Sequence, residues 1–139
     1  MRTIAEFTSA AIGVPFLDGG RSLSGWDCWG LVYVAFREVA GIELPQYGEI
    51  SARDLIRSSR AIVAGAGGQE WKQVQNPAPM DVVVMRYAMS IKVGHVGLVI
   101  SESEVLHVES ACSTVREPLG LSGVGGRIWK IMRHEAVCQ

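Results

Sequence analysis

Charge of one sign is the first thing missing from this chain. Thirteen Lys and Arg stand against fourteen Asp and Glu, a formal net charge of −1, and neither sign forms a run. Affinity for nucleic acid rests on clustered positive charge, so no nucleic-acid partner is expected. Long apolar runs are missing too. No stretch approaches the ~20 residues a membrane helix needs, and Glu6, Thr8 and Ser9 interrupt the mildly apolar start, leaving no signal-peptide core. The expectation is a soluble, unexported chain with no membrane insertion. Cysteine is scarce and odd in number: residues 28, 112 and 138 cannot all pair, and no C-x-x-C spacing occurs. That excludes a disulfide framework and a zinc knuckle and fits a reduced compartment.

Only 19% of residues are charged, against ~25% in an average soluble domain. Against this, 48% are hydrophobic and the mean hydropathy is +0.21, which excludes intrinsic disorder. A length of 139 residues suits one domain over residues 1–139, large enough to bury a core without a disulfide or metal.

Apolar positions predict the elements. Ile4, Phe7, Ala11 and Ile12 suggest a short amphipathic helix over 3–12, and paired glycines with Pro15 make residues 13–20 irregular. The strongest signal lies at 28–40, where Cys28, Leu31, Val32, Ala35, Phe36 and Val39 share one helical face, with Asp27 as N-cap and Gly41 as stop. A second helix is expected over 51–64, capped by Ser51, followed by a glycine-rich loop at 65–68. After Pro79 the pattern turns to strands at 81–87, 93–100, 104–109 and 127–133. Helices first and an antiparallel sheet second make an α+β fold.

Cysteine attacks carbonyl carbon only as thiolate, and a helix N-terminus favours that charge. Cys28 stands at such an end. Of the three histidines, His134 lies in a charged tail and reads as solvated, whereas His95 and His107 lie in apolar strands, where an imidazole needs a hydrogen-bond partner. With a three-residue turn at 101–103, position 97 faces 107, and His95 and His107 become diagonal neighbours on one face. A two-residue turn would put them on opposite faces. Cys at a helix start, His on a strand and an orienting group on the next strand make up the nucleophile–base–orienter set of acyl-transfer enzymes. A zinc site from Cys28, His95 and His107 competes with it, since these are also zinc ligand types.

Gly13-x-Pro15-Phe16-x-x-Gly19-Gly20, Gly25-x-Asp27-Cys28-Trp29-Gly30-Leu31-Val32, Pro79-x-Asp81-Val82-Val83, Gly94-His95-Val96-Gly97 and Leu106-His107-Val108 together resemble the NlpC family of papain-like cysteine peptidases, in family order. The resemblance implies a papain-like α+β domain with the Cys helix packed on an antiparallel sheet. It implies Cys28 as nucleophile, His95 as general base and acid, and His107 as the group that orients His95. The reaction would be hydrolysis of amide bonds in peptidoglycan stem peptides, with the oxyanion held by backbone N–H at the helix start, Cys28 included, and no cofactor or metal. Phe16, Gly19, Gly20, Asp27, Trp29 and Gly94 would contribute to substrate binding.

Two residues depart from the family pattern: Phe16 stands where Tyr is usual, and Trp29 where Ser is usual. Asp-Cys-Trp-Gly is similar to phage-borne members, in lambda-like tail tips and gene transfer agents. That implies tail-tip or baseplate proteins as partners, and synthesis in the cytoplasm followed by incorporation into a tail or tail-like particle acting at the cell wall. A second function fits the same residues: a structural tail-tip protein that keeps the fold with little or no activity. Asp27 is read as a cap ahead of a catalytic acid, and Asp81 as a turn anchor. Gly19 and Gly20 either admit a substrate backbone or serve positive φ. Trp26 and Trp29 are placed at a groove or in the core, Trp71 and Trp129 in packing, and Cys112 and Cys138 are bystanders.

Overall fold

Thr3 starts the first helix with a reciprocal cap: Glu6 N–H donates to Thr3 Oγ1 at 3.1 Å and Thr3 N–H to Glu6 Oε1 at 2.8 Å. Helix α1 (Ile4–Ala11) buries Phe7 and Ala11. A two-stranded hairpin, β1 (Arg21–Ser22) and β2 (Gly25–Trp26), leads to α2 (Cys28–Ala35), whose N-cap is Asp27 as expected. The computed structural model describes residues 1–137, so Cys138 lies outside the described residues.

The single apolar face expected over 28–40 does not persist. Residues 30–36 are buried all round, because α2 meets both the small hairpin and the main sheet. A π-helical turn, Phe36–Ala40, then widens the spiral, leaves Val39 only partly buried, and ends at Gly41 with φ 67°. Helix α3 (Leu55–Ala66) starts later than expected. Asp54 caps it, since Ser51 Oγ instead donates to Asp18 Oδ2 at 2.5 Å. It runs through Gly65 and stops at Gly67.

The main sheet comprises β3 (Trp71–Val74), β4 (Val82–Arg86), β5 (Val93–Ser101), β6 (Glu104–His107), β7 (Val115–Pro118) and β8 (Ile128–His134), in the order β3-β8-β4-β5-β6-β7 with every pair antiparallel. Helices packed on an antiparallel sheet match the expected α+β class. Strands β3 and β7 were not anticipated; both are four-residue edge strands, β7 mostly exposed and β3 only half-buried, with no run of apolar alternation. Val82, Val84, Val96, Leu98, Leu106 and Met132 turn toward the α1 and α2 core. Val83, Met85, Val99 and Val105 turn the other way into a smaller cluster with Leu119 and Val124.

His134 is not solvated. Strand β8 carries it opposite Trp71, where it is 8% exposed and edge-on to Trp71 and Phe36, its Nδ1 accepting from Ala136 N–H. Among the described residues no helix is long and apolar enough to cross a membrane.

The β5–β6 turn also differs from expectation. Ser101 pairs with Glu104, so the turn holds two residues, not three, and by itself would separate the two histidines. A bulge between Val99 and Ser101 absorbs one residue and restores Val99 opposite Val105 and Leu98 opposite Leu106. His95 and His107 therefore share a face after all.

Candidate active site

Cys28 opens α2, and the backbone amides of Val96 and Trp29 lie close enough to its sulfur to favour the charged form. Where that sulfur lies follows from the strand pattern. Val99 N–H and C=O bond Asp81 and Met80, on the β4 side of β5. Backbone groups alternate along a strand, so Val96 N–H points the other way, toward β6, whose pairing with β5 ends at Leu98–Leu106. The sulfur thus sits at the sheet's open edge, against the peptide that joins His95 to Val96.

Burial pushes the Cys28 thiol up to about 12, and the Asp27 carboxylate adds to it; the amides of Val96 and Trp29 and the charge of Arg21 pull the other way and lose. The helix N-terminus alone therefore does not make the resting group a thiolate, because desolvation outweighs it. Alkylation with iodoacetamide at pH 7.5, resolved by peptide mass, is expected to label exposed Cys112 first, with Cys28 slower by about 100-fold or more. Faster labelling of Cys28 than Cys112 at that pH would contradict the assignment.

The two imidazoles meet directly. His95 Nε2 and His107 Nδ1 are 2.8 Å apart, the rings cross at 65°, and the residues are 4% and 1% exposed. Gly97 leaves room for them, since a Cβ there would press within 2.7 Å of Val105 Cγ2 and 3.2 Å of His107 Cβ. On the far side, His107 Nε2 hydrogen-bonds the Glu117 carboxylate of β7. Glu109 stands 4.0 Å from His107 Nδ1, with both its oxygens held by Arg127 at 3.0 Å. Burial pushes the Glu109 carboxyl up, but those bonds and the neighbouring cations leave it below its ordinary value.

Burial, and then the proximity of His107, push His95 down to about 3. Below pH 6.5 the unfolded chain takes up a proton at this position that the native protein refuses, so stability is lost as pH falls. Between pH 7.5 and 5 the loss from this group is about 2 kcal/mol. Urea unfolding of wild type and His95→Gln across that range checks it: the variant should show a correspondingly flatter profile.

His95, His107 and Glu109 offer ligand atoms within 4.8 Å of one another, a set without Cys28. The Arg127 bonds to Glu109 and the hydrogen-bond spacing of the ring nitrogens suit a proton relay better than a cation.

The flanking residues divide. Asp27 is 4% exposed and turned inward: Oδ1 accepts from Gly30 N–H and Arg21 Nη1, Oδ2 from Gly19 N–H. Gly19 has φ +77°, and at Gly20 a Cβ would collide with the Gly25 carbonyl, so the close backbone approach at Gly20 is to the chain itself. Phe16 is half-buried, bridges to Trp26, and takes the Cys112 carbonyl on its N–H. Trp26 belongs to the core, stacked on Phe7 with its indole N–H on Thr114 Oγ1.

Trp29 donates to the Pro45 carbonyl at 2.7 Å and packs on Tyr47. Cys28, Trp29 and Gly94 line a small cleft of about 40 Å³, which continues past Trp29 and Tyr47 beneath α3 toward Trp71. A Cβ on Gly94 would collide with the Tyr87 hydroxyl. Burial, and then any negative charge on Cys28, push Tyr87 up to about 12. Sequence reasoning missed Tyr87, Glu109 and Glu117. Gly94 was the one signal for Tyr87, and nothing in the local pattern marks the two carboxylates.

A Cys at a helix start beside a strand that presents one of two linked histidines is one half of the comparison; the chain's order of motifs is the other. Residues 13–133 match the model of the NlpC/P60 family. The chain belongs to this family. It is accordingly a cysteine peptidase, a hydrolase, on a papain-like α+β fold. The fold is similar to that of the NlpC/p60 domain of the peptidoglycan hydrolase SagA, with a TM-score of 0.61, 16% identity, and 95% of this chain and 99% of that one covered. A family protein from Bacillus cereus ATCC 10987 gives 0.64 at 19% identity, covering 96% of this chain. A lipoprotein-like NLP/P60 protein from Staphylococcus aureus subsp. aureus Mu50 gives 0.63 at 18%, covering 95%. The chain spans 40% of the length of each of these last two. No curated protein matches the chain.

Proposed function

We propose that this NlpC/P60 peptidase hydrolyses amide bonds in peptidoglycan stem peptides, with Cys28 as nucleophile, His95 as general base and acid, and His107 as the group that orients His95. The observation that carries this is the linked imidazole pair on the strand whose His95–Val96 peptide touches the Cys28 sulfur. A substrate amide enters the cleft beside Trp29. His95, neutral at physiological pH, takes the thiol proton as the sulfur attacks the carbonyl carbon, and backbone N–H groups at the start of α2 receive the negative oxygen. Since the resting sulfur is a thiol, proton transfer and S–C bond formation belong to one step. The C–N bond then breaks as His95 returns the proton to the leaving amine, and water hydrolyses the thioester by the same route.

The Asp27-Cys28-Trp29-Gly30 sequence supports placement in a phage tail or tail-like particle, where the domain would meet the wall during envelope penetration. Mass spectrometry of purified particles for this chain would test that placement.

The hydrolytic reading is tested by incubating the protein with purified sacculi and with synthetic stem peptides. The expected result is release of fragments carrying one new amine and one new carboxyl terminus. Sacculi and peptides left intact on prolonged incubation would overturn it and favour the structural tail-tip role.

A further inference from the structure

Beyond the three residues above, the buried polar chain continues to a fourth group. We infer that Glu117 on β7 is a positioning residue that sets the tautomers of both histidines and so determines which nitrogen of His95 serves as base. This rests on the proposed roles of His95 and His107.

The argument is one of donor and acceptor bookkeeping along a single line. An ionised carboxylate can only accept, so the hydrogen bond between His107 Nε2 and Glu117 places a proton on Nε2. A neutral His107 then has a lone pair on Nδ1. That lone pair faces His95 Nε2 at 2.8 Å, so His95 Nε2 must carry the proton. In a neutral ring the remaining nitrogen, His95 Nδ1, is left with a lone pair, and a lone pair is what a general base requires. Without the carboxylate the order is free to reverse: His107 Nδ1–H donates to His95 Nε2, and His95 Nδ1 carries a proton and can abstract none. Glu109 cannot substitute, because Arg127 holds both its oxygens and it stands 4.0 Å away, on the Nδ1 side. The groups that face the pair among the described residues are therefore Glu117 from β7, Glu109 beyond β6, and Arg127 before β8, and of these Glu117 touches His107 Nε2.

Glu117 lies on an edge strand with a side chain 40% exposed, so its replacement leaves the core untouched. The test is long-range 15N–1H NMR of the ring nitrogens in the intact protein, alongside stem-peptide kinetics, for wild type, Glu117→Ala and Glu117→Gln. Wild type is expected to show both rings as Nε2–H tautomers. Glu117→Ala should lose that single pattern and drop kcat about 10-fold or more with KM unchanged. Glu117→Gln, whose amide oxygen still accepts from Nε2–H, should keep the tautomers and restore most of kcat. Unchanged tautomers in Glu117→Ala would overturn the inference whether or not the protein cleaves wall peptides. Because the spectra need no substrate, that failure is distinct from inactivity of the wild type, which would instead overturn the hydrolytic reading.

Discussion

Replacing Cys28 by Ala is expected to lower the rate of stem-peptide hydrolysis by about 10⁴-fold or more while leaving the protein folded. The magnitude follows from chemistry: with no sulfur, no thioester forms, and only binding and oxyanion contacts remain to assist water. Folding survives because the side chain loses a single atom. The Val96 and Trp29 amides beside the sulfur lose at most a weak acceptor, which costs about 1 kcal/mol. The measurement is kcat/KM from the release of new amino termini, with thermal unfolding of both proteins recorded alongside. Hydrolysis within twofold of wild type would remove Cys28 from the mechanism, and the helix start with it.

Asp27→Ala should produce the largest loss of stability among the site residues, about 4 kcal/mol, read from urea unfolding. Three interactions vanish together. The α2 cap at Gly30 N–H is worth about 1 kcal/mol. The Gly19 N–H loses its acceptor, and the Arg21 guanidinium, whose side chain is 12% exposed, loses its carboxylate partner at 2.9 Å. The guanidinium keeps its bonds to the Gln46 and Gly20 carbonyls, but a half-buried cation without its countercharge is the dominant cost. Arg21→Ala in the Asp27→Ala background should therefore recover part of the loss, and a double-mutant cycle measures the coupling. Asp27→Asn separates charge from capping. It keeps an oxygen for Gly30 N–H but removes the negative charge that helps hold the Cys28 proton, so iodoacetamide should label Cys28 faster in this variant. A loss below about 1 kcal/mol for Asp27→Ala would show that the cap and ion pair are not coupled as drawn.

The same residues show how the site was legible and where legibility ended. Asp27 could be named as a cap because capping is local: a carboxylate one position before an apolar helical run has few other uses. His95 and His107 could be placed on one face because strand alternation has period two. That placement rested on a three-residue turn that the protein does not have. A two-residue turn and a bulge at Ile100 arrive at the same register by a different path. A bulge is decided by how the strands pack, and single-residue patterns do not carry it. The protonation of Cys28 is not legible in the chain for a similar reason. Helix position is read from the chain, but desolvation depends on what closes over the sulfur, and α3, which lines the same cleft, comes from a distant segment. Glu117 escaped notice because β7 is an exposed edge strand whose Val-Arg-Glu-Pro has no apolar alternation to declare it.

Alone, the order of residues determined the helix that begins at Cys28 and the α+β succession, and it singled out the three side chains proposed for the chemistry. These depend on local propensity and on periodicity, which act within a few residues of chain. Only the tertiary structure decided that the sulfur rests protonated at the open edge of β5, that the imidazoles touch, and that a carboxylate from β7 completes the line. Each of those depends on solvent exclusion and on distances between segments far apart in the chain, and such distances exist only once the sheet has closed around them.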